Sequence, residues 1–395
     1  MVANVTVGSS MRFVVIKHNG STVQSDYLRK PDGSYLQYAA DDPDNEGHNL
    51  LSIAIDGDRY IHVIGGFHNQ STSPYYWRST FRTSQSFVRK GFAPKWGSAN
   101  IPSPVGYSTM HTYPIMAGLG GDVYLVMRTI KSQDTDSRAM PLWRWNNVTN
   151  KWSVVAVVAA QTGYTVYPTD IWSDGKNLHL AYEWMDGPAG GVRHKASYVK
   201  YSPSTAKFYK ANGAAIGVPI TVASSDVFED LNAGETLAQI SEQVALYPGT
   251  MGGRGRVNGG EVQILLRRRE ALNQRINLKR FRYAGRWIEE TVVDANALWA
   301  GTDAHLTKML GFTDDGTTTR VLFGKATYST GYNPWANGIT SIDAMVKERG
   351  GACNPGWSDA RPIGTGAPFA IRSGGYDQLY LNDFPGQVLR VARLN

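Results

Sequence analysis

A pattern of a Gly/Asp turn followed at once by an apolar strand recurs along the chain, and it limits the possible folds more than any other feature. The copies are D-G-D-R-Y-I-H-V-I from Asp56, G-G-D-V-Y-L-V-M-R from Gly120, S-D-G-K-N-L-H-L-A-Y-E-W from Ser173, G-G-E-V-Q-I-L-L from Gly259, D-D-G-T-T-T-R-V-L-F from Asp314 and G-G-Y-D-Q-L-Y-L from Gly374. Apolar runs bounded by Gly and Asp predict short strands joined by tight turns. The copies are roughly 50 to 85 residues apart, a period typical of a β-propeller with four strands per blade.

With the opening strands included, these repeats predict an all-β fold, a single β-propeller of about seven four-stranded blades. No stretch has the composition of an interdomain linker, so we expect one domain spanning residues 1–395. The N- and C-terminal strands are expected to close the ring by pairing Gln387–Val391 with Arg12–Lys17, which would remove exposed sheet edges. Only short helices are predicted, with Glu229–Ala238 and Ile342–Lys347 as the best candidates.

The charge and the cysteine content narrow the function classes. The formal net charge is +7, and a basic surface indicates a polyanionic partner: nucleic acid, an acidic polysaccharide or an anionic membrane. The one cysteine, Cys353, excludes an intramolecular disulfide framework and any multi-cysteine zinc motif. No apolar run is long enough to span a bilayer, and the N-terminus lacks the charged-then-apolar pattern of a signal peptide.

Two His-Asn pairs, His48-Asn49 and His68-Asn69, flank one predicted hairpin. Its strands are Leu50–Ile55 and Tyr60–Ile64, joined by an Asp-Gly-Asp turn. Because a hairpin returns the chain to its starting point, the two pairs could lie close together. Repeated imidazoles, each followed by an amide, indicate a site, although a structural role for each histidine is an equally supported alternative.

A second candidate set is His111-Thr112-Tyr113-Pro114, followed by a strand that ends at Arg128. A rigid turn at Tyr113-Pro114 and a surface ion pair for Arg128 are the structural alternatives. If Tyr113 and Arg128 converge with the histidines at one end of adjacent blades, the set suits β-elimination on a uronic acid.

The residue types fit this reaction because the proton next to a uronate carboxylate is very weakly acidic. Its removal needs a positive group, such as Arg, that neutralises the carboxylate while the enolate develops. It also needs a base, for which neutral His or an activated Tyr is suitable, and an acid for the departing glycosidic oxygen, for which a Tyr hydroxyl is suitable.

Two further motifs have simpler interpretations. His62 and His179 both follow an Asp/Gly turn inside an apolar strand, and we predict equivalent structural positions for them. In Arg193–Ser202, basic residues alternate with aromatic residues. This strand could line a groove for an acidic glycan, and a solvated strand face is the alternative.

Taken together, these motifs resemble the seven-bladed propeller polysaccharide lyases related to ulvan lyases, within the wider group with degenerate bacterial neuraminidase repeats. The matching pieces lie in order between residues 48 and about 221: H-N…I-H-V-I-G-G-F-H-N at His48–Asn69, T-Y-P at Thr112–Pro114, the strand ending at Arg128, S-D-G-K-N-L-H-L-A-Y-E-W at Ser173–Trp184, and R-H-K-A-S-Y-V-K-Y-S…V-P-I-T at Arg193–Thr221.

The resemblance implies a role for individual residues. It makes His48 and His68 catalytic or subsite histidines, Tyr113 the acid and also a candidate base, and Arg128 the group that neutralises the carboxylate. The residues expected to bind substrate are Asn49, Asn69, Arg193, His194 and Tyr198. Some relatives hold a structural metal with a histidine and nearby cysteines, but no cysteine lies near His194. We therefore predict no metal and no cofactor.

The sequence thus predicts a polysaccharide lyase that cleaves an acidic, uronate-containing polysaccharide, ulvan-like or bacterial, outside the cell, at its surface, in the periplasm or as part of a phage. The polysaccharide is the expected partner, and nucleic acid and membrane are not. Two alternatives remain open: a sialidase-like propeller hydrolase, and a propeller that binds glycans without cleaving them.

Overall fold

A computed structural model of the chain shows an almost entirely β architecture. It describes residues 2–7, 10–18, 22–39, 51–67, 75–86, 91–96, 101–187, 193–231, 236, 254–268, 275–314, 317–329, 339–350, 356–373, 376–382 and 389–394. These residues form 29 strands and one helix, α1 (Ala295–Leu298). With four residues, the one described helix falls far short of the length and hydropathy of a membrane span.

The strands form six hydrogen-bonded sheets. The first contains β1 (Val2–Val7), β2 (Ser10–His18), β3 (Val23–Tyr27) and β4 (Gln37–Ala39). The second contains β5 (Leu51–Ile55), β6 (Tyr60–Gly65), β7 (Tyr75–Arg82) and β8 (Phe92–Trp96). The third contains β9 (Tyr107–Leu119), β10 (Asp122–Lys131), β11 (Asp134–Asn146), β12 (Lys151–Ala159), β13 (Tyr164–Ser173), β14 (Leu178–Asp186), β15 (Arg193–Ser202), β16 (Lys207–Tyr209), β17 (Ala215–Ile216) and β18 (Asp226–Glu229).

Three sheets follow in the C-terminal part of the chain. The fourth contains β19 (Arg254–Asn258), β20 (Glu261–Arg268), β21 (Asn277–Tyr283) and β22 (Trp287–Val293). The fifth contains β23 (Ala304–Asp314), β24 (Thr318–Tyr328), β25 (Ile339–Gly350) and β26 (Arg361–Thr365). The sixth contains β27 (Ala367–Ser373), β28 (Tyr376–Asn382) and β29 (Leu389–Leu394).

Consecutive groups of antiparallel strands contact one another through their first strands. In chain order, β1 contacts β5, β5 contacts β9, β9 contacts β13, β13 contacts β19, β19 contacts β23, and β23 contacts β27. Radial repetition of small antiparallel sheets around their first strands is the arrangement of a propeller. The described part of the chain is therefore propeller-like, as the recurring turn-and-strand pattern predicts.

The central strands are apolar throughout because both of their faces are buried. In β10, Val123, Leu125 and Met127 pack in one hydrophobic cluster, and the alternate residues Tyr124 and Val126 pack in another. Successive side chains of a strand point to opposite faces, so each face of β10 covers a different neighbour. Stacking of the sheets against one another follows from this burial, since neither face can be left to water.

The Gly/Asp turns bring neighbouring sheets into close contact. The backbone N–H of Gly57 donates to the carbonyl oxygen of Gly121 over 2.8 Å. A Cβ at position 57 would lie 2.7 Å from the Cα of Gly121, so a side chain cannot fit there. The recurrence of glycine in these turns thus has a packing cause as well as a conformational one.

Two details of the predicted fold are wrong. Arg12–Lys17 lies in β2, which pairs with β1 on one edge and with β3 and β4 on the other. The predicted pairing of Gln387–Val391 with this stretch is therefore not formed, and within the described residues β29 pairs with β28. The predicted helix Ile342–Lys347 lies inside β25, where pairing with β24 outweighs local helix propensity.

His62 and His179 have the same surroundings in two different sheets, which confirms their predicted equivalence. His62 Nδ1 lies 2.7 Å from the Tyr76 hydroxyl and its Nε2 lies 3.0 Å from Asp56. A carboxylate can only accept, so the Nε2–H donates to Asp56 and the neutral ring accepts from Tyr76.

The second network repeats these contacts. His179 Nδ1 lies 2.7 Å from the Tyr198 hydroxyl, and Nε2 lies 3.0 Å from Asp174. Burial lowers the pKa of both His62 and His179, which keeps the two rings neutral. Both histidines are buried and therefore serve as structural links between the turn and the next strands.

Removing the hydroxyl of one such network should lower stability. Tyr198→Phe leaves the buried Nδ1 of His179 without its partner, and we expect the free energy of unfolding to fall by about 1–3 kcal/mol. Urea denaturation at neutral pH measures this loss. Tyr209→Phe is the control, because its hydroxyl contacts Thr205 at an exposed site, and we expect a change within about 0.5 kcal/mol. Equal effects of the two changes would show that the network is not a stabilising link.

Candidate functional site

Tyr113 occupies a strained position in β9. The register between β9 and β10 shifts, from Val126 opposite Ile115 to Arg128 opposite Thr112, so that Tyr113 and Pro114 form a bulge. The φ angle of Tyr113 is +59°, in the left-handed region. A non-glycine residue there costs on the order of 1–3 kcal/mol, and such strain is concentrated at functional positions. The bulge changes the direction of the Tyr113 side chain in the middle of β9.

Arg128 lies between two tyrosine rings. Its Cζ is 4.7 Å from the ring centre of Tyr113 and 4.8 Å from that of Tyr167. The two ring centres are 5.7 Å apart. All three side chains are at most 3% exposed, and cation–π attraction is strongest where the cation is removed from water. The structure thus brings the predicted pair Tyr113 and Arg128 into direct contact.

Sequence reasoning did not assign Tyr167 to the site, although a signal for it exists. Tyr167-Pro168 in β13 repeats the Tyr113-Pro114 dipeptide of β9, and the register beside it also shifts, between Pro168 and Asp170. β9 and β13 contact each other as the first strands of two successive strand groups of the third sheet, and the two tyrosines meet where these groups adjoin.

Arg138 in β11 is a further member of this group. It lies opposite Ile130 of β10 and Thr165 of β13, two residues along each strand from Arg128 and Tyr167, and the charges of Arg128 and Asp136 both act on it. Burial, followed by the charge of Arg128, lowers the pKa of Arg138 from its ordinary value. Tyr113, Arg128, Arg138 and Tyr167 are called the tyrosine–arginine cluster below.

Glu183 adds a carboxylate next to this cluster. It lies directly opposite Tyr167 in the pairing of β13 with β14 and is 1% exposed. Directly opposite residues have Cβ atoms about 4.5–5.5 Å apart. Counted from the first apolar residue of each strand (Val123, Leu178 and Val262), Arg128, Glu183 and Arg267 occupy the same strand position.

A buried ion pair lies beyond Glu183. Glu229 Oε1 is 2.6 Å from Nε of Arg268. Burial, opposed by the charge of Arg268 and reinforced by that of Glu183, raises the pKa of Glu229 to about 8. Glu183, Glu229 and Arg268 therefore act on one another electrostatically beside the cluster.

Most of the other predicted site residues lie outside the described residues or have side chains that do. His48, Asn49, His68 and Asn69 lie outside the described residues. The backbone of Arg193 pairs with Met185, and its side chain also lies outside the description. Tyr198 is 1% exposed in the core, where its hydroxyl contacts His179, so it is not at the protein surface.

His194 is buried between two carboxylates. Its Nε2 lies 3.1 Å from Asp186, and its Nδ1 lies 3.5 Å from Asp230, which also binds Lys195. These contacts tie β15 to the segments on either side of it. Across the residues that the structure describes, no group of three or more His, Cys, Asp or Glu side chains could hold a metal ion.

A polar cleft of about 370 Å³ lies elsewhere, lined by residues of β19 to β25 and by Thr317. Three arginines line it, and each already has a carboxylate partner: Arg280 and Arg349 bind Glu290, and Arg282 binds Glu261. The charges of this cleft are matched internally, so it lacks the excess positive charge that an acidic glycan would need.

The antiparallel strand groups, which contact one another through their first strands, define an all-β protein of the propeller-like class. The chain belongs to the BNR repeat-containing family, whose model matches residues 15–247. No curated protein matches the sequence.

Solved structures agree with this class. The chain is similar to a polysaccharide lyase of family PL25, an ulvan lyase, with a TM-score of 0.59, 11% identity and coverage of 100% of this chain and 91% of that chain. A second structure, the PL25 ulvan lyase bound to -[GlcA(1-4)Rha3S]-, gives a TM-score of 0.57, 12% identity and the same coverage. A Hadza microbial sialidase gives a TM-score of 0.49 at 9% identity, covering 98% of this chain and 73% of that chain. The family match and the fold shared with ulvan lyases confirm the resemblance seen in the sequence.

His111, next to the Tyr113 bulge, should make the protein acid-sensitive. Its Nδ1 lies 2.8 Å from the Thr129 hydroxyl, and burial lowers its pKa to about 3. In the unfolded chain the pKa is about 6.5. Between these values the unfolded state binds one more proton, so stability falls as pH decreases, by about 1.4 kcal/mol per pH unit.

The variant His111→Gln removes this proton uptake. We expect its free energy of unfolding to depend less on pH between 6 and 4 than that of the wild type, as measured by urea denaturation at several pH values. His18→Gln, at a partly exposed strand end, is the control and should keep the wild-type slope. A slope unchanged by His111→Gln would mean that His111 is not the group that takes up the proton.

Proposed function

We propose that this protein is a polysaccharide lyase that cleaves an acidic, uronate-containing polysaccharide by β-elimination. The observation that carries the proposal is the placement of Arg128 between Tyr113 and Tyr167, where the strand groups that begin with β9 and β13 adjoin within the third sheet. A desolvated guanidinium beside a phenol hydroxyl supplies a charge for a carboxylate and a proton for a leaving oxygen in one place.

In the proposed reaction, Arg128 neutralises the uronate carboxylate. A base then takes the proton from the carbon that bears this carboxylate, and the electron pair forms a double bond to the neighbouring ring carbon. The glycosidic oxygen leaves that carbon and receives a proton from the hydroxyl of Tyr113. No water is consumed, and the products are a new reducing end and an unsaturated uronate.

The base is proposed to be His48 or His68, or Tyr113 itself. Neutral imidazole has the appropriate basicity near neutral pH. The sequence resemblance supplies these histidines, and Asn49 and Asn69 are proposed to bind the sugar beside them. Arg193 is proposed as a further substrate contact because it is the first residue of the basic strand β15.

The structural relatives support this choice of substrate. The PL25 ulvan lyase that shares the fold is seen with a glucuronate–rhamnose sulfate polymer. The net charge of +7 favours an anionic partner of this kind. We therefore propose an ulvan-like or bacterial acidic polysaccharide as the substrate and action outside the cell as the setting.

The propeller that presents this site is proposed to have about seven blades in one domain. Within the ten-stranded sheet, β11 and β13 are joined by one parallel pair, Arg138 with Thr165. Dividing the sheet at this pair gives seven groups of strands in the described chain. Closure of the ring is proposed to come from packing between the first and last groups.

A sialidase-like hydrolase is the second candidate, and the structure contains an observation that favours it. Tyr167 lies opposite Glu183, and Arg128 and Arg138 are close by. A tyrosine nucleophile activated by a glutamate, with arginines for a carboxylate, is a hydrolytic arrangement. The two candidates therefore differ in which tyrosine reacts.

The product distinguishes the candidates. We expect purified protein, screened against a panel of acidic polysaccharides that includes ulvan, to release an ultraviolet-absorbing unsaturated uronate. New reducing ends without this absorbance would indicate the hydrolase instead. Glycan binding without either product would indicate a binding protein.

Paired variants test the proposed acid. Tyr113→Phe removes the hydroxyl and keeps the ring over Arg128, and we expect the rate of unsaturated product formation to fall roughly 10²–10⁴-fold. Tyr167→Phe is the matched variant on the other side of Arg128, and we expect a much smaller loss. Thermal unfolding of both variants checks that each is folded. The opposite ranking would assign the reaction to Tyr167 and support the hydrolase.

A further inference from the structure

We propose that Arg138 is a second carboxylate-binding residue, which grips the uronate together with Arg128. This inference rests on the proposed function, because it concerns how the same cluster recognises its substrate. It identifies the carboxylate, rather than a sulfate or a hydroxyl, as the group on which recognition depends.

Backbone pairing holds Arg138 between the strands that carry the rest of the tyrosine–arginine cluster. In β11, Arg138 lies opposite Ile130 of β10 and pairs in parallel with Thr165 of β13. These are the two strands that carry Arg128 and Tyr167. The neighbouring Ser137 side chain accepts a hydrogen bond from the N–H of Gly163 over 2.8 Å, which ties β11 to the start of β13. Arg138 is therefore placed by rigid strands and not by a loop.

The guanidinium of Arg138 has unused hydrogen-bonding capacity. Its Nε and Nη1 are buried, and neither has a hydrogen-bond partner in the described part of the chain. A buried donor on a charged group without a partner is costly, and a ligand that accepts from it recovers this cost. We therefore expect a bound ligand to supply the acceptor for these two donors of Arg138.

The positive charges of Arg138 and Arg128 favour an anion as that acceptor. Arg138 and Arg128 are like charges close enough to shift the pKa of Arg138. One carboxylate shared between two guanidiniums removes this repulsion, and its two oxygens match the planar donors of arginine. Arg128 is fully buried and Arg138 is partly exposed. A uronate entering from solvent would therefore meet Arg138 before it reaches Arg128.

The test uses Arg138→Gln, which keeps a polar side chain but removes the charge and the planar fork. We expect about a 10- to 100-fold loss of affinity, as is usual for hydrogen bonds to charged groups. In steady-state kinetics, we expect KM to rise by a larger factor than kcat falls. Arg138→Lys, which keeps the charge alone, should recover part of the loss. The control is Arg286→Gln, which removes the same charge from an exposed turn and should behave as the wild type.

Binding is measured by calorimetry with ulvan and with carboxyl-reduced ulvan, which keeps its sulfate groups. The wild type should prefer intact ulvan, and Arg138→Gln should lose this preference. Unchanged affinity and KM in a folded Arg138→Gln variant would overturn the inference, and so would wild-type binding that ignores carboxyl reduction. If the wild type forms no unsaturated product, the lyase proposal fails, whereas carboxylate-dependent binding through Arg138 would still be seen in calorimetry.

Discussion

The structure depends on the burial of both faces of its central strands. In β10, one set of alternating side chains packs against the preceding sheet and the other set against the following strands. At about 25 cal/mol per Å² of apolar surface removed from water, this burial is the main force that holds successive sheets together. Packing of this kind brings successive groups of strands side by side. Side chains on different strands, such as Tyr113 and Tyr167, can therefore meet although more than 50 residues separate them in the chain.

The tyrosine–arginine cluster is costly to the fold, and that cost indicates a function. Tyr113 has a left-handed backbone conformation, and Arg128 is a buried cation between aromatic rings. Strain and desolvated charge persist only where the surrounding structure forces them. Two features provide this constraint. β9 pairs with β10 both before and after the bulge, and β11 pairs with β13 at Arg138 and Thr165.

The two Asp-His-Tyr networks show that catalytic residue types can have a purely structural role. His62 and His179 each contact a carboxylate and a tyrosine hydroxyl at nearly identical distances in separate sheets. The same contacts are repeated in two buried places, where they satisfy buried polar groups, and this indicates a structural role for them. At a functional site, by contrast, we expect the residue at a repeated position to differ between repeats. At the strand position of Arg128, one repeat has Glu183 and another has Arg267. Differences between repeats at one position are therefore more informative about function than the residue types alone.

The sequence by itself predicted many of the strands and turns, the family, and Tyr113 and Arg128 as a candidate pair, because periodicity, glycine positions and short motifs are local properties. It also predicted the equivalence of His62 and His179 from a shared local motif. It could not determine that β2 is already paired on both edges, or that Ile342–Lys347 is a strand, since pairing between distant segments overrides local preference. Only the tertiary structure decided that Tyr167, Arg138 and Glu183 join Tyr113 and Arg128, and that Tyr198 is in the core. These contacts arise from the pairing and packing of strands that are distant in the chain, which no single stretch of the chain encodes.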